Sequence, residues 1–305
     1  MASPLPHAAR QRAANFIQQN ATPLQQARFD YHFANGSADA VRDALLRFQN
    51  TDGGFGHGLE QDLRSENSSV ICTTVGLQIL EEVDTDIEHP QLKGGMAYLE
   101  NAYQFGNWPL VNADNNDAPH APWWTYDETW ACTQKFLANP GAEVIGYVLQ
   151  YGTQLPDKLI DRLLQRALEH IECNELEMHE LLAYNRLFHN EYLGEPYRDA
   201  LLPHLMREAF SCVKVDPLEW EEYGLKPTDL VTSPDSLFVD FFGDALDMAF
   251  THQMDQQLSD GCWAPTWSWG EMFPATWRVV EAEIKAELTL RFLLQLQRFN
   301  LLEEE

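Results

Sequence analysis

Between Leu45 and Leu80 the chain reads LLRFQNTDGGFGHGLEQDLRSENSSVICTTVGLQIL, a helix, a glycine-punctuated turn and a second helix fused into one unit. Gln49 closes the first, amphipathic helix. Asp52-Gly53-Gly54-Phe55-Gly56 then supplies positions free to take positive φ around a single aromatic anchor. The Asn67-Ser68-Ser69 run offers side-chain oxygens to the orphan amides of the next helix, along which Val70, Thr73, Thr74, Leu77 and Leu80 recur at helical spacing.

A second copy lies near the C-terminus, from Gln253 to Leu293. Gln257 and Asp260-Gly261-Cys262-Trp263 stand where the first copy has Gln49 and Asp52-Gly53-Gly54-Phe55, and a long helical stretch again follows. One rule therefore governs both ends of the chain.

The two segments resemble the repeat of the terpenoid cyclases and protein prenyltransferases, in which Gln is followed by Asp-Gly-Gly-Phe/Trp and an inner helix. The resemblance implies an all-α fold, an α/α toroid of about six helical hairpins of roughly 50 residues each, forming a single domain over residues 1–305. It also implies a central cavity lined by inner helices and rimmed by loops, with a small-molecule ligand inside. Fold transfers more safely than function between such relatives.

Asp and Glu outnumber Lys and Arg by 47 to 20. That excess repels phosphate backbones and anionic lipid, so no nucleic acid partner and no membrane insertion are expected. No apolar run reaches the length that spans a bilayer, and MASPLPHAARQRAANF lacks a secretion signal, so a soluble cytoplasmic protein is expected. Cys72, Cys132, Cys173, Cys212 and Cys262 are odd in number and lack CxxC spacing, which suits reduced, mostly buried thiols. An oligomeric state does not follow from these features.

Helices are expected from Ala8 to Gln19, from Thr22-Pro23 to about Phe33, and from a Ser37 cap through Val41, Leu45 and Phe48. Further helices are expected over Leu92–Tyr103, Glu143–Tyr151, Asp157–Cys173, Glu177–His189 and Pro196–Cys212. Another, capped by Ser233 with Pro234 at its first position and Asp235 at the positive end of its dipole, should run from Asp235 to Gln256. Gly106 to Asp127 reads as a long loop anchored by Trp108, Trp123, Trp124 and Tyr126.

Chemistry in such a fold belongs in the loops and at inner-helix starts. His57, Glu60 and Asp62 follow the first turn and pair an imidazole with carboxylates, the usual combination for proton transfer; the alternative is a polar loop tied by its own hydrogen bonds. Pro119-His120-Ala121-Pro122-Trp123-Trp124 presents two indoles and an imidazole, either as a ligand wall or as a plug. Asp260 with Cys262 resembles the Asp-x-Cys zinc ligands of prenyltransferase β subunits, but no histidine follows His252 to complete that set. A buried structural thiol and no metal are expected. Asp84-Thr85-Asp86-Ile87-Glu88 resembles the acidic signature of class II terpene cyclases, departs at its last position, and reads as an interhelical turn. Asp240, Asp244 and Asp247 share one helix face opposite Phe242, Ala245, Leu246 and Ala249, a solvated side rather than a cation site.

The basic residues are scattered, Arg64, Arg278 and Lys285 among them, so diphosphate binding is disfavoured and no cofactor is called for. Candidate catalytic groups are His57, Glu60, Asp62 and Asp260. Candidate ligand contacts are His120, Trp123, Trp124, Asp235, Trp267 and Trp269. The family resemblance implies a cyclase-like enzyme acting on an apolar isoprenoid-type substrate, with a carboxylic acid as proton donor. Asn112, Asp114, Asn115, Asn116, Asp117, His120, Trp123 and Trp124 crowd one loop and favour instead a carbohydrate-active toroid, a lyase or hydrolase. A non-catalytic ligand-binding toroid is the third reading.

Overall fold

The computed structural model describes residues 2–131 and 135–303; these are helical, with no strand beyond isolated bridges among them. In chain order the helices are α1 (His7–Asn20), α2 (Pro23–Phe33), α3 (Ala38–Leu45), α4 (Val70–Glu82), α5 (Pro90–Ala102), α6 (Glu128–Ala131) and α7 (Ala138–Tyr151). There follow α8 (Asp157–Cys173), α9 (Met178–His189), α10 (Glu195–Cys212), α11 (Pro227–Leu230), α12 (Val239–Phe242), α13 (Asp244–Asp255) and α14 (Pro274–Arg298). No helix among the described residues is long and apolar enough to cross a membrane.

The chain divides into two compact units, a middle unit of Leu45–Cys212 and a terminal unit of Met1–Ala44 with Val213–Glu305. In the middle unit α4 packs on α7 and α7 on α9, forming a row. Helix α5 backs α4 and α7, α8 backs α7, and α10 backs α9 and α8. The row helices are buried on most sides: Val70, Cys72, Leu77, Ile79 and Leu80 of α4, and Val144, Ile145, Tyr147 and Val148 of α7, lose nearly all contact with water. The backing helix α8 is amphipathic instead, burying Leu163, Leu164, Ala167 and Ile171 at helical spacing. Its bounds are those expected from periodicity.

In the terminal unit α1, α2 and α14 pack together. Thr22 and Gln25 form a reciprocal capping box at the start of α2, and Arg28 reaches both oxygens of Glu287 on α14 at 2.8 Å. Leu5 and Leu302 pair in parallel, which joins the two ends of the chain.

The turn seen twice in the sequence is built twice in the same way. Gln49 Nε2 donates to the carbonyl of Gly53 and to that of Gln91 on α5, both at 2.8 Å. Gln257 Nε2 donates to the carbonyl of Gly261 and to that of Ala9 on α1, both at 2.9 Å. Asp52 Oδ1 accepts from the Gly54 N–H at 3.0 Å, and Asp260 Oδ1 from the Cys262 N–H at 3.3 Å. The N–H of Phe55 donates to Thr73 Oγ1 at 3.1 Å, and that of Trp263 to Thr289 Oγ1 at 3.1 Å. Each threonine hydroxyl in turn donates one helical turn back, to Ser69 or Lys285. A buried aromatic thus enters each unit without an orphaned amide.

The partner helices match as well. Helix α4 is followed by α5, against whose Gly94 the Gly53 turn lies; α14 stands in the same relation to α1, whose Arg12 backbone faces Gly261.

Several helix starts agree with their expected caps. Ser69 Oγ accepts from the Cys72 N–H, and Ser37 Oγ from the Ala40 N–H. Two expectations are corrected. The helix expected from Asp235 to Gln256 is broken: Ser233 does hold the Asp235 N–H, but helix begins only at Val239 and is interrupted at Gly243, whose φ of 46° and ψ of −120° suit only a residue without Cβ. Within Gly53-Gly54, positive φ belongs to Gly53 alone (88°); Gly54 is required by space, since a Cβ there would meet Tyr98 and Ser68 at 2.6 Å.

Candidate functional site

The loop carrying His57, Glu60 and Asp62 meets the loop carrying His120, Trp123 and Trp124 in the middle unit. Leu63 and His120 pair antiparallel, the Arg64 N–H donating to Pro119 O at 3.0 Å and the Ala121 N–H to Asp62 O at 2.8 Å. His120 is buried. Its Nδ1 donates to the Ala118 carbonyl, which can only accept, at 2.7 Å, and its Nε2 lies 3.1 Å from the Thr125 hydroxyl. Asp62 is buried and Glu60 half-buried.

His57 has a different part. It is exposed, sits at φ 56°, and donates from Nε2 to Asn50 Oδ1 at 2.9 Å, while Asn50 Nδ2 donates to Glu66 O and Ser68 Oγ. One ring nitrogen thus ties the loop to the turn. Beneath the loop, burial pushes the Cys72 thiol up to about 11, with the Glu60 charge adding to the rise and Arg64 opposing it. Trp124 is 8% exposed and its indole N–H has no hydrogen-bond partner among the described residues, whereas Trp123 next to it is 45% exposed.

The other sequence-derived candidates belong to the terminal unit. Asp260 is exposed and its Oδ1 takes both the Cys262 N–H and, at 3.2 Å, the Cys262 thiol. Burial and the Asp260 carboxylate push that thiol up to about 12. Asp235 is exposed on a turn; Trp267 meets Tyr223 edge-on at 5.8 Å; Trp269 is buried against Trp277 and Phe273. Asp240 and Asp244 are exposed and Asp247 half-buried, and Asp84 to Glu88 form the turn between α4 and α5. No group of His, Cys, Asp or Glu among the described residues is arranged to hold a metal ion. Cys72 and Cys262 are buried, Cys212 half-buried and Cys173 exposed, all with free thiols; Cys132 lies outside the described residues.

A polar network crosses the α4–α7–α9 row, and the sequence reading missed it. Glu143 Oε1 accepts from Gln78 Nε2 at 2.7 Å and from the Tyr147 hydroxyl at 2.6 Å, while Oε2 faces Arg186 Nε at 3.6 Å. Arg186 Nη2 also donates to Gln78 Oε1 at 3.1 Å. One turn further along, Gln150 Nε2 donates to Glu81 Oε1 and to the Tyr151 hydroxyl, and Asn190 Nδ2 to Gln150 Oε1. Burial, reinforced by the Glu143 carboxylate, drives Tyr147 well above the usual phenol range, so it stays a proton donor. Arg186 is 46% exposed on its side chain, yet desolvation is the largest influence on its charge; Glu143, Tyr147 and Glu81 outweigh it and raise the group. The available signal was a carboxylate in an otherwise apolar run, Ala142-Glu143-Val144-Ile145-Gly146-Tyr147-Val148.

Burial also raises Asp229 in the terminal unit, opposed by the bond from the Lys226 N–H and by the charges of Lys226 and Arg291.

No family model matches this chain, and no curated protein or solved structure matches it either.

Proposed function

We propose that the chain is an α/α toroid whose row of α4, α7 and α9 forms part of a ligand-binding inner face, and that the ligand is polar and rich in hydroxyls, of carbohydrate type. Support for the toroid comes from the doubled turn and from α14 meeting α1 as α4 meets α5, the relation a ring of hairpins needs where its ends join. The observation that carries the ligand reading is the network of Gln78, Glu143, Tyr147 and Arg186. These groups partner one another, but an apolar substrate over them would strip water from the exposed Arg186 guanidinium, whereas hydroxyls replace that water.

A cyclase-like enzyme acting on an isoprenoid-type substrate is the second reading, favoured by the repeat's resemblance to that family. Its proton donor needs a carboxylic acid held neutral. Asp229, pushed up by burial, fits that need better than Asp260, which is exposed and bonded to its own turn.

A thermal-shift screen with matched panels of neutral and acidic oligosaccharides and of isoprenoids and terpenols separates the two. Ligand at a hundredfold excess over its dissociation constant stabilises by about 2.7 kcal/mol. Shifts confined to the oligosaccharides are expected. Shifts confined to the isoprenoids would reverse the order of the two readings.

A further inference from the structure

We propose that Glu143 Oε2 and the Arg186 guanidinium are the acceptor and donor halves of a hydroxyl-binding subsite for a neutral sugar or polyol, an inference that rests on the polar-ligand reading above. The two oxygens of Glu143 are unequally used. Oε1 already accepts two hydrogen bonds, from Gln78 and Tyr147, whereas among the described residues Oε2 meets only Arg186 Nε, in an ion pair at 3.6 Å that is longer than a hydrogen bond. Arg186 gives one of its five N–H donors to Gln78, and its side chain is exposed to solvent.

A hydroxyl is the group that completes this pair, because it accepts from the guanidinium and donates to the carboxylate at once. One hydroxyl oxygen placed at about 2.8 Å from each partner spans the gap without moving either. A ketone or ether offers only an acceptor, and a hydrocarbon offers neither. The next turn repeats the pattern, with Glu81, Gln150, Tyr151 and Asn190 alternating acceptors and donors along the same three helices. A ligand with several hydroxyls in series matches that spacing better than a single alcohol.

Neutrality of the ligand follows from charge. Glu143 and Glu81 place two carboxylates on the wall against one guanidinium, in a chain whose formal net charge is −27. An acidic sugar would meet like charge twice.

The test is titration calorimetry of the full chain with cellotetraose, maltotetraose and xylotetraose, and with trigalacturonate as the acidic comparison. The wild type, Arg186→Met and Glu143→Gln are compared, with Arg186→Lys as the conservative variant. At least one neutral oligosaccharide is expected to bind. Its affinity should fall roughly 10- to 100-fold in Arg186→Met and in Glu143→Gln, the loss of a hydrogen bond to a charged group, and recover in part in Arg186→Lys. Circular dichroism and melting of each variant separate lost binding from lost fold, and Arg186→Met, altering a half-exposed side chain, keeps the test open should Glu143→Gln unfold. Binding to the wild type that both variants retain unchanged would overturn this subsite and leave the polar-ligand reading standing. Absence of binding by any oligosaccharide would overturn both, and tighter binding of trigalacturonate would overturn the neutral assignment.

Discussion

Gly53→Val and Gly261→Val are each expected to destabilise the unit that holds them by about 3 kcal/mol or more, the sum of positive-φ strain and forced repacking. Two independent features point the same way at each site. Gly53 lies at φ 88° and Gly261 at φ 99°, where a β-branched side chain is strained whatever the space. A Cβ would also stand 2.4 Å from the carbonyl oxygen of Gly94 in one case and of Arg12 in the other, both backbone atoms of a packed helix that cannot swing aside. For a cooperative unit of roughly 150 residues the effect amounts to roughly 6–12 °C in that unit's melting midpoint, read by calorimetry or circular dichroism. A change within experimental scatter at both positions would mean that the turns do not have the backbone geometry described.

The aromatic anchors should matter as much. Phe55→Ala and Trp263→Ala are each expected to cost about 3–5 kcal/mol, the range for removing a buried aromatic from a core. Phe55 is wholly buried over Gly76 of α4, so close that a Cβ on that glycine would meet the ring at 2.8 Å. Trp263 packs edge-on against Phe292 of α14 at 4.9 Å and donates from Nε1 to the Gln253 carbonyl at 2.6 Å. Its removal therefore opens a cavity and strips a half-buried carbonyl of one partner. Trp123→Ala, which alters a side chain 45% exposed, supplies the contrast and should stay within about 0.5 kcal/mol of wild type. Equal effects at Trp123 and Trp263 would contradict the assignment of anchors.

Much of this architecture is readable from local chemistry. Gln49 and Gln257, the Asp-Gly turns and the aromatics sit at identical spacing, so the repeat could be recognised without any knowledge of what those side chains touch. Helix starts were equally plain where a cap and a proline coincide, as at Thr22-Pro23, and helix α8 ends where its apolar stripe ends. What escaped depends on partners distant in sequence. Thr73 and Thr289 look like ordinary helix residues until the amides of Phe55 and Trp263 are seen to need an acceptor. The break at Gly243 was hidden because a single glycine in a helical pattern is compatible with an unbroken helix.

The candidate site was less readable than the fold, for the same physical reason. His57, Glu60 and Asp62 stand out by being close in sequence, and one nitrogen of His57 is tied to Asn50 of its own turn. Glu143 and Arg186 come from helices separated by α8; Glu143 shows only as a carboxylate in an apolar run, and Arg186 looks in isolation like the polar edge of an amphipathic segment. Only packing α7 on α9 brings them to 3.6 Å. Periodicity identifies which face is buried; it does not identify which buried polar groups converge.

The most direct measurement is a crystal structure of the protein grown with a neutral oligosaccharide that stabilises it. The expected result is a sugar ring whose hydroxyl lies within hydrogen-bond distance of both Glu143 Oε2 and the Arg186 guanidinium, with the neighbouring ring beside Gln150 and Asn190. A sugar held elsewhere, with Glu143 and Arg186 in contact only with water, would contradict the assignment of the α4–α7–α9 row as the ligand-binding face.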